Sequence, residues 1–214
     1  MIVNGFRIRK AERADASALA PLVYSAIGDL ANFFTGASTT QEAIERLTLL
    51  IQAEHTRFSY QYALVVDKFP SARDSHSETL VEGSVIAVCG AYPSVCEGEL
   101  TLSTIQASES RGWAIEAQVR SRLLTDKEAP ENTFYIDHLA VNPNFRGHHI
   151  GSDLVRNLCV KAKEEGHHTI SLLADETNPS AKRLYERLLF TQDGEVFANG
   201  HKYHVLKKTI SAPI

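Results

Sequence analysis

From Phe134 to Lys207 the chain switches repeatedly between a two-residue and a three-to-four-residue apolar period, and this alternation restricts its fold more than any other feature. Phe134 to Val141 reads as a strand, His149 to Glu165 as a helix, Thr169 to Ala174 as a strand and Pro179 to Leu188 as a helix. A strand buries a face and a helix buries a stripe, so this order requires a sheet with helices packed on it. Phe190 to Phe197 and Tyr203 to Lys207 follow as two closing strands.

The first half continues the same architecture. Phe6-Arg7-Ile8-Arg9 alternates as a strand does, and Asp15 stands where it can cap a helix carrying Ala18, Leu19, Leu22, Val23 and Ile27. Ile44, Leu47, Leu50 and Ile51 recur at helical spacing and predict a second helix over Thr40 to Glu54. Tyr62 to Val66 and Leu80 to Tyr92 read as paired strands, joined by a loop over Lys68 to Glu78 that is rich in Pro, Ser and charge. Pro93 to Glu131 leaves the strand pattern, and Trp113, Ala117, Val119, Leu123 and Leu124 suggest one amphipathic helix within it.

Size and charge narrow the function. The 214 residues make one large domain, 1–214, at about 150 residues per domain. Lys plus Arg number 22 against 26 Asp plus Glu, a net charge of −4, which argues against a nucleic acid partner. No apolar run approaches the ~20 residues of a membrane span, and Met1 to Lys10 holds no signal-peptide core, so the expected location is cytoplasmic with no membrane partner. Cys89, Cys96 and Cys159 lack CxxC spacing and read as reduced thiols.

The chemistry is concentrated in Leu139-Ala140-Val141-Asn142-Pro143-Asn144-Phe145-Arg146-Gly147-His148-His149-Ile150-Gly151-Ser152. A strand runs into an Asn-Pro turn, and Gly147 and Gly151 flank the start of a helix. Free backbone N–H groups and the positive end of a helix dipole suit a phosphate or pyrophosphate there, and Arg146 can add a charge-assisted hydrogen bond. An ordinary connection with turn glycines is the alternative meaning of this pattern.

This segment resembles the GCN5-related N-acetyltransferase (GNAT) superfamily, whose signature R/Q-x-x-G-x-G/A follows a Leu-Ala-Val strand. Arg146 and Gly151 fit it, whereas His149 occupies the position of the middle glycine. The resemblance implies that Arg146, Gly147, His148, His149, Ile150, Gly151 and Ser152 hold the pyrophosphate of acetyl-CoA. It also implies that the backbone of Leu139, Ala140 and Val141 pairs with the pantetheine arm. Asn178-Pro179-Ser180-Ala181-Lys182-Arg183-Leu184-Tyr185 through Leu189-Phe190 resembles the family's N-x-x-A-x-x-x-Y-x-x-x-G-F pattern, with Leu189 in place of glycine. By that resemblance Asn178 contacts the cofactor and the Tyr185 hydroxyl protonates the departing CoA thiolate. Their structural alternatives are a helix cap and a packed core tyrosine.

The family likeness implies an α/β fold: a mixed, mostly antiparallel central sheet with helices on both faces. It also marks Pro93 to Glu131, residues 93–131, as a long insertion between the third and fourth strands and a candidate wall of the acceptor site. Trp113 and the carboxylates Glu97, Glu99, Glu109 and Glu116 are its conspicuous side chains.

For the base, strand alternation places Tyr135, Asp137, Leu139 and Val141 on one face and Ile136, His138 and Ala140 on the other, so Asp137 and His138 share the cleft only if a bulge intervenes. Asp137 is the first choice, with a pKa expected to be raised among apolar neighbours; His138 is the alternative. His148-His149, His167-His168, His201 and His204 offer no convergent ligand set, so no metal is expected. Lys161, Lys163, Lys182 and Arg183 are candidates for the 3′-phosphate of CoA.

The expected function is therefore acetyl transfer from acetyl-CoA to a primary amine by direct attack in a ternary complex. The acceptor is a small amine, or else a protein or peptide amine. The alternative is an acyl-CoA-binding sensor of the same fold without turnover, motivated by His149 and Leu189. A dinucleotide-binding oxidoreductase lacks the opening GxGxxG. Exposed edge strands permit a homodimer.

Overall fold

The computed structural model describes residues 2–3, 5–68 and 84–210. Residues 69–78 of the expected loop and 80–83 of the expected strand lie outside the described residues. Eight strands form one sheet: β1 (Ile2–Val3), β2 (Phe6–Lys10), β3 (Ala63–Lys68), β4 (Val85–Pro93), β5 (Phe134–Val141), β6 (Thr169–Asp175), β7 (Thr191–Ala198) and β8 (His201–Thr209). Their order is β1-β2-β3-β4-β5-β6-β8-β7, and every pair is antiparallel except β5–β6. The mixed sheet is the expected one, with the two-residue β1 added at its edge.

Strand alternation divides the core in two. Val65, Val88 and Ala140 pack with α1 (Ala16–Ile27), α2 (Asp29–Thr35) and α3 (Thr40–Gln52), whereas Val66, Ala87, Cys89 and Ile136 pack with α6 (Ile150–Glu164) and α7 (Pro179–Arg187). Helices thus cover both faces. Two local expectations change. Asp15 does not cap α1 with its side chain, because a 3-10 turn at Arg13–Asp15 runs directly into that helix; its carboxylate instead takes both arms of Arg9 at 2.7 Å and the N–H of Glu12 at 2.7 Å. The stretch after Ile27 holds α2, which was not anticipated.

The insertion, now between β4 and β5, contains two helices rather than one: α4 (Glu97–Glu109) and α5 (Ala117–Thr125). The period of α4 is hidden because polar side chains form much of its buried face. Thr104 returns its hydroxyl to the Leu100 carbonyl at 2.6 Å, and Ser108 donates to the Phe34 carbonyl at 2.7 Å. Trp113 lies between the two helices, packed against the α1–α3 core and beneath the guanidinium of Arg46.

The feature that positions the site is a divergence of the two parallel strands. β5 pairs with β6 only from Phe134 to Ile136; beyond this β6 continues beside β8 to Asp175, and β5 stays paired with β4 alone. One edge of Asp137–Val141 is left facing the gap, where α7 enters.

The C-terminus of α7 accounts for the departure at Leu189. Its N–H donates to the Glu186 carbonyl at 3.0 Å, the N–H of Phe190 donates to the Tyr185 carbonyl at 3.0 Å, and the rings of Phe190 and Tyr185 meet edge to face at 5.6 Å. This is a Schellman ending, whose pivot adopts the left-handed conformation that favours glycine. Leu189 holds it at φ 66° while 75% exposed. Leu189→Gly should relieve that strain at little packing cost and, after the larger chain entropy of the unfolded state, stabilise by about 0.5–1 kcal/mol. A thermal melt should show a higher Tm; a lower Tm would contradict this account.

Candidate active site

The segment after β5 forms a loop ending at a bare helix start. Asn142 accepts the N–H of Asn144 at 3.0 Å around the 3-10 turn Pro143–Phe145, and the chain then runs exposed from Arg146 to His149. Gly147 has φ 82° and His149 φ 62°, so the histidine adopts the left-handed turn although it lacks glycine's freedom. No side chain caps α6, whose first-turn N–H groups are therefore available to an anion. A Cβ at Gly151 would point at Val141, Leu184 and Leu139, at 3.6–3.8 Å, so the missing side chain opens the space between loop, strand and α7.

The predicted cofactor residues divide by exposure. Arg146, Gly147, His148 and His149 are exposed, and Leu139, Val141 and Gly151 are half-buried beside the gap. Ala140 and Ile150 bury their side chains in the two cores and Ser152 is buried, leaving their backbones as the groups a ligand can meet. Asn178 caps α7, its side chain accepting the N–H of Ala181 at 3.1 Å, and it also lines the cavity described below. Of the basic candidates, Lys161 turns to Glu165 and lies over the Phe134 ring, near the far end of α6. Lys182 donates to Gln192 at 2.8 Å and Arg183 to Ser180 at 3.1 Å.

A cavity of about 440 Å³ opens where β5 and β6 part, lined among others by Asp137, Leu139, Asn178 and Tyr185. Tyr185 is 7% exposed, and burial pushes its hydroxyl well above the usual tyrosine range, so it stays protonated. Opposite, the turn between α1 and α2, the insertion residue Glu128, and Asn199, His201 and Tyr203 complete the wall.

Asp137 sits in a bulge: His138 pairs with Gly90 and Ile136 with Ala91, so Asp137 is the extra residue of β5. The bulge brings the Asp137 and His138 side chains together, with Nδ1 of His138 donating to Asp137 Oδ2 at 3.0 Å. Only Asp137 reaches the cavity. His138 is packed against Phe58 and over Gly90, where a Cβ would lie 2.2 Å from its ring, and its Nε2 is buried without a partner among the described residues.

The expected upward pKa shift of Asp137 is overturned. Burial does push it up, but the charge of buried Arg57, the bond from His138 and the Tyr92 hydroxyl outweigh that and hold the carboxyl at about 2. Arg57 Nε donates to Oδ1 at 2.6 Å and Tyr92 to the same oxygen at 2.7 Å. Asp137 is thus an anion saturated with donors rather than a carboxyl ready to take a proton.

Sequence reasoning missed Arg57 and Glu128. Arg57 is 3% exposed in a buried turn after α3, its N–H bonded to Thr104 at 2.8 Å, and its other arm is ion-paired with Glu128. Burial opposes its charge, but Asp137 and Glu128 raise its pKa well above normal. The insertion therefore does reach the cavity, through Glu128 rather than Trp113. Glu97 lies elsewhere, beside a separate cavity of about 720 Å³ beneath the insertion that none of the predicted catalytic or cofactor residues lines. Among the described residues no cluster of three or more His, Cys, Asp or Glu could hold a metal ion, and no helix is long and apolar enough to cross a membrane.

A family model described as Acetyltransferase (GNAT) family matches residues 44–190. Among solved structures, one described as the crystal structure of acetyltransferase is 26% identical with a TM-score of 0.73, covering 96% of this chain and 100% of that one. An N-acetyltransferase from Staphylococcus aureus Mu50 is 22% identical with a TM-score of 0.71, covering 94% and 100%. The structure of yncA from Salmonella typhimurium with its cofactor acetyl-CoA is 17% identical with a TM-score of 0.52, covering 97% and 95%. No curated protein sequence matches significantly.

Proposed function

The chain belongs to the GNAT acetyltransferase family, and from that premise we propose that it transfers an acetyl group from acetyl-CoA to a small primary amine, by direct attack in a ternary complex. The observation that carries this reading is the joining of three features at one gap: the bare start of α6, the unpaired edge of β5 and the buried Tyr185 hydroxyl. The N–H groups of Ile150, Gly151 and Ser152, with Arg146, would hold the pyrophosphate, and the free edge of Leu139–Val141 would align the pantetheine arm by strand-like pairing.

Acetyl-CoA supplies a thioester carbonyl carbon for the amine to attack and a sulfur that leaves with the bonding electron pair. Tyr185 gives its hydroxyl proton to that sulfur. Burial keeps that proton on the oxygen at working pH, so the hydroxyl is in its acid form when the sulfur gains charge. Asp137 takes no proton. It stays anionic beneath the acceptor cavity and holds Arg57 and Tyr92, while the proton lost by the amine nitrogen passes to water. His149 and Leu189 both adopt the left-handed backbone that favours glycine, and both are exposed, which supports an open site.

The reading is tested by titrating the protein with acetyl-CoA and then adding amines while following thiol release. Binding at the loop from Arg146 to Ser152 and amine-dependent release are expected; binding without release for any amine would favour the sensor.

A further inference from the structure

We propose that Glu128 selects the acceptor: its carboxylate binds a positively charged group that the amine substrate carries in addition to its reacting nitrogen. The inference rests on the acetyltransferase reading above and deepens it by naming the acceptor class, a short diamine or its equivalent.

The two buried carboxylates near the reacting gap are not equivalent. The Asp137 side chain is 1% exposed and has the guanidinium, a tyrosine hydroxyl and an imidazole on its oxygens. Glu128 is 9% exposed and lines the cavity from the insertion side. It accepts from Asn199 Nδ2 at 3.0 Å on one oxygen and from Arg57 and Tyr135 on the other, the tyrosine at 3.4 Å. Arg57 brings one positive charge to two carboxylates, and the cavity lining also holds Asp29 and Asp175 but, among the described residues, no Lys or Arg, so the cavity is rich in negative charge. The reacting nitrogen must be neutral when it attacks, so that charge matches a second, unreacting ammonium.

Glu128 is also held in place from behind. Glu97, on α4, accepts the backbone N–H groups of Glu128 and Ala129 at 2.8 and 3.0 Å, and Asp126 accepts the N–H of Asn199 at 2.9 Å at the tip of the β7–β8 hairpin. Insertion and hairpin are thereby fastened to each other around this one side chain. Tyr203 stands on the same wall; burial and the nearby Glu128 and Asp175 push its hydroxyl up to about 12, so it presents a neutral ring beside the carboxylate. A neutral aromatic side chain and an anion on one wall suit an ammonium group. Arg57 and Asp137 act in this scheme as positioning residues.

The probes are 1,4-diaminobutane and n-butylamine, which share a chain and differ in the second ammonium. Wild-type protein should acetylate the diamine with a kcat/KM about tenfold or more above that of butylamine. Glu128→Gln, close in shape, should abolish that preference by raising the KM for the diamine, and Glu128→Asp should restore part of it. Calorimetric acetyl-CoA affinity should persist in Glu128→Gln, which shows that the variant is folded. Equal use of both amines by the wild type, or an undiminished preference in Glu128→Gln, would overturn the role of Glu128 and leave the acetyltransferase reading standing. Acetyl-CoA binding with no turnover of these or any other primary amine would instead overturn that reading, and this inference with it.

Discussion

Tyr185→Phe will lower acetyl transfer by about 10²-fold or more while leaving acetyl-CoA affinity nearly unchanged. The substitution keeps the ring that packs edge to face on Phe190 and removes only the hydroxyl, so the fold has little reason to respond. The loss should fall on kcat, because the proton is needed when sulfur leaves rather than when acetyl-CoA binds. Burial pushes the pKa of this hydroxyl up, so the acid is present throughout the neutral range, and any alkaline decline in wild-type rate should come from another group. Steady-state kinetics with calorimetry on the same preparation checks this. A variant as fast as wild type would mean that Tyr185 is a packed residue of α7 and no more.

Arg57→Ala should destabilise the protein by about 3–5 kcal/mol, because it leaves Asp137 and Glu128 buried beside each other without their cation. Urea unfolding at neutral pH measures the loss directly. The acid behaviour gives a second signature. A carboxyl held at about 2 when folded, against about 3.9 when unfolded, contributes stability that is present above pH ~4 and lost as pH falls towards 2. Without Arg57 the Asp137 carboxyl should protonate at higher pH, and that share of stability should already be missing at neutrality. Glu97, raised by burial, acts with the opposite sign, contributing at low pH and losing its contribution as pH rises through its folded value. Unchanged stability in Arg57→Ala would show that the buried ion pairs merely offset their own desolvation.

The motif-bearing half of the chain was legible because its signals are local. The strand ending at Val141, the Asn-Pro turn, the glycines around α6 and the cap at Asn178 each depend on residues a few positions apart, and the structure has those elements within a few residues of the expected bounds. The surroundings of Asp137 were not legible, since Arg57 comes from 80 positions away and Tyr92 from 45. A carboxylate read from its neighbours alone looks merely buried, and so its pKa was expected to move the wrong way. His149 and Leu189 posed the converse problem. The replaced glycines motivated the sensor alternative, yet the Schellman bonds at Leu189 hold the left-handed backbone against a side chain that disfavours it. In α4, threonine and serine on the buried face erased the apolar period that would have revealed the helix.

The most direct test of the central claim is a calorimetric titration of acetyl-CoA into wild-type protein and into Gly151→Trp, with thermal melts as a check that both are folded. The indole would enter the space between Leu139, Val141 and Leu184 that glycine leaves open. Micromolar binding by the wild type, weakened at least about tenfold in a folded variant, is the predicted result. No binding by the wild type, or equal binding by both, would contradict it.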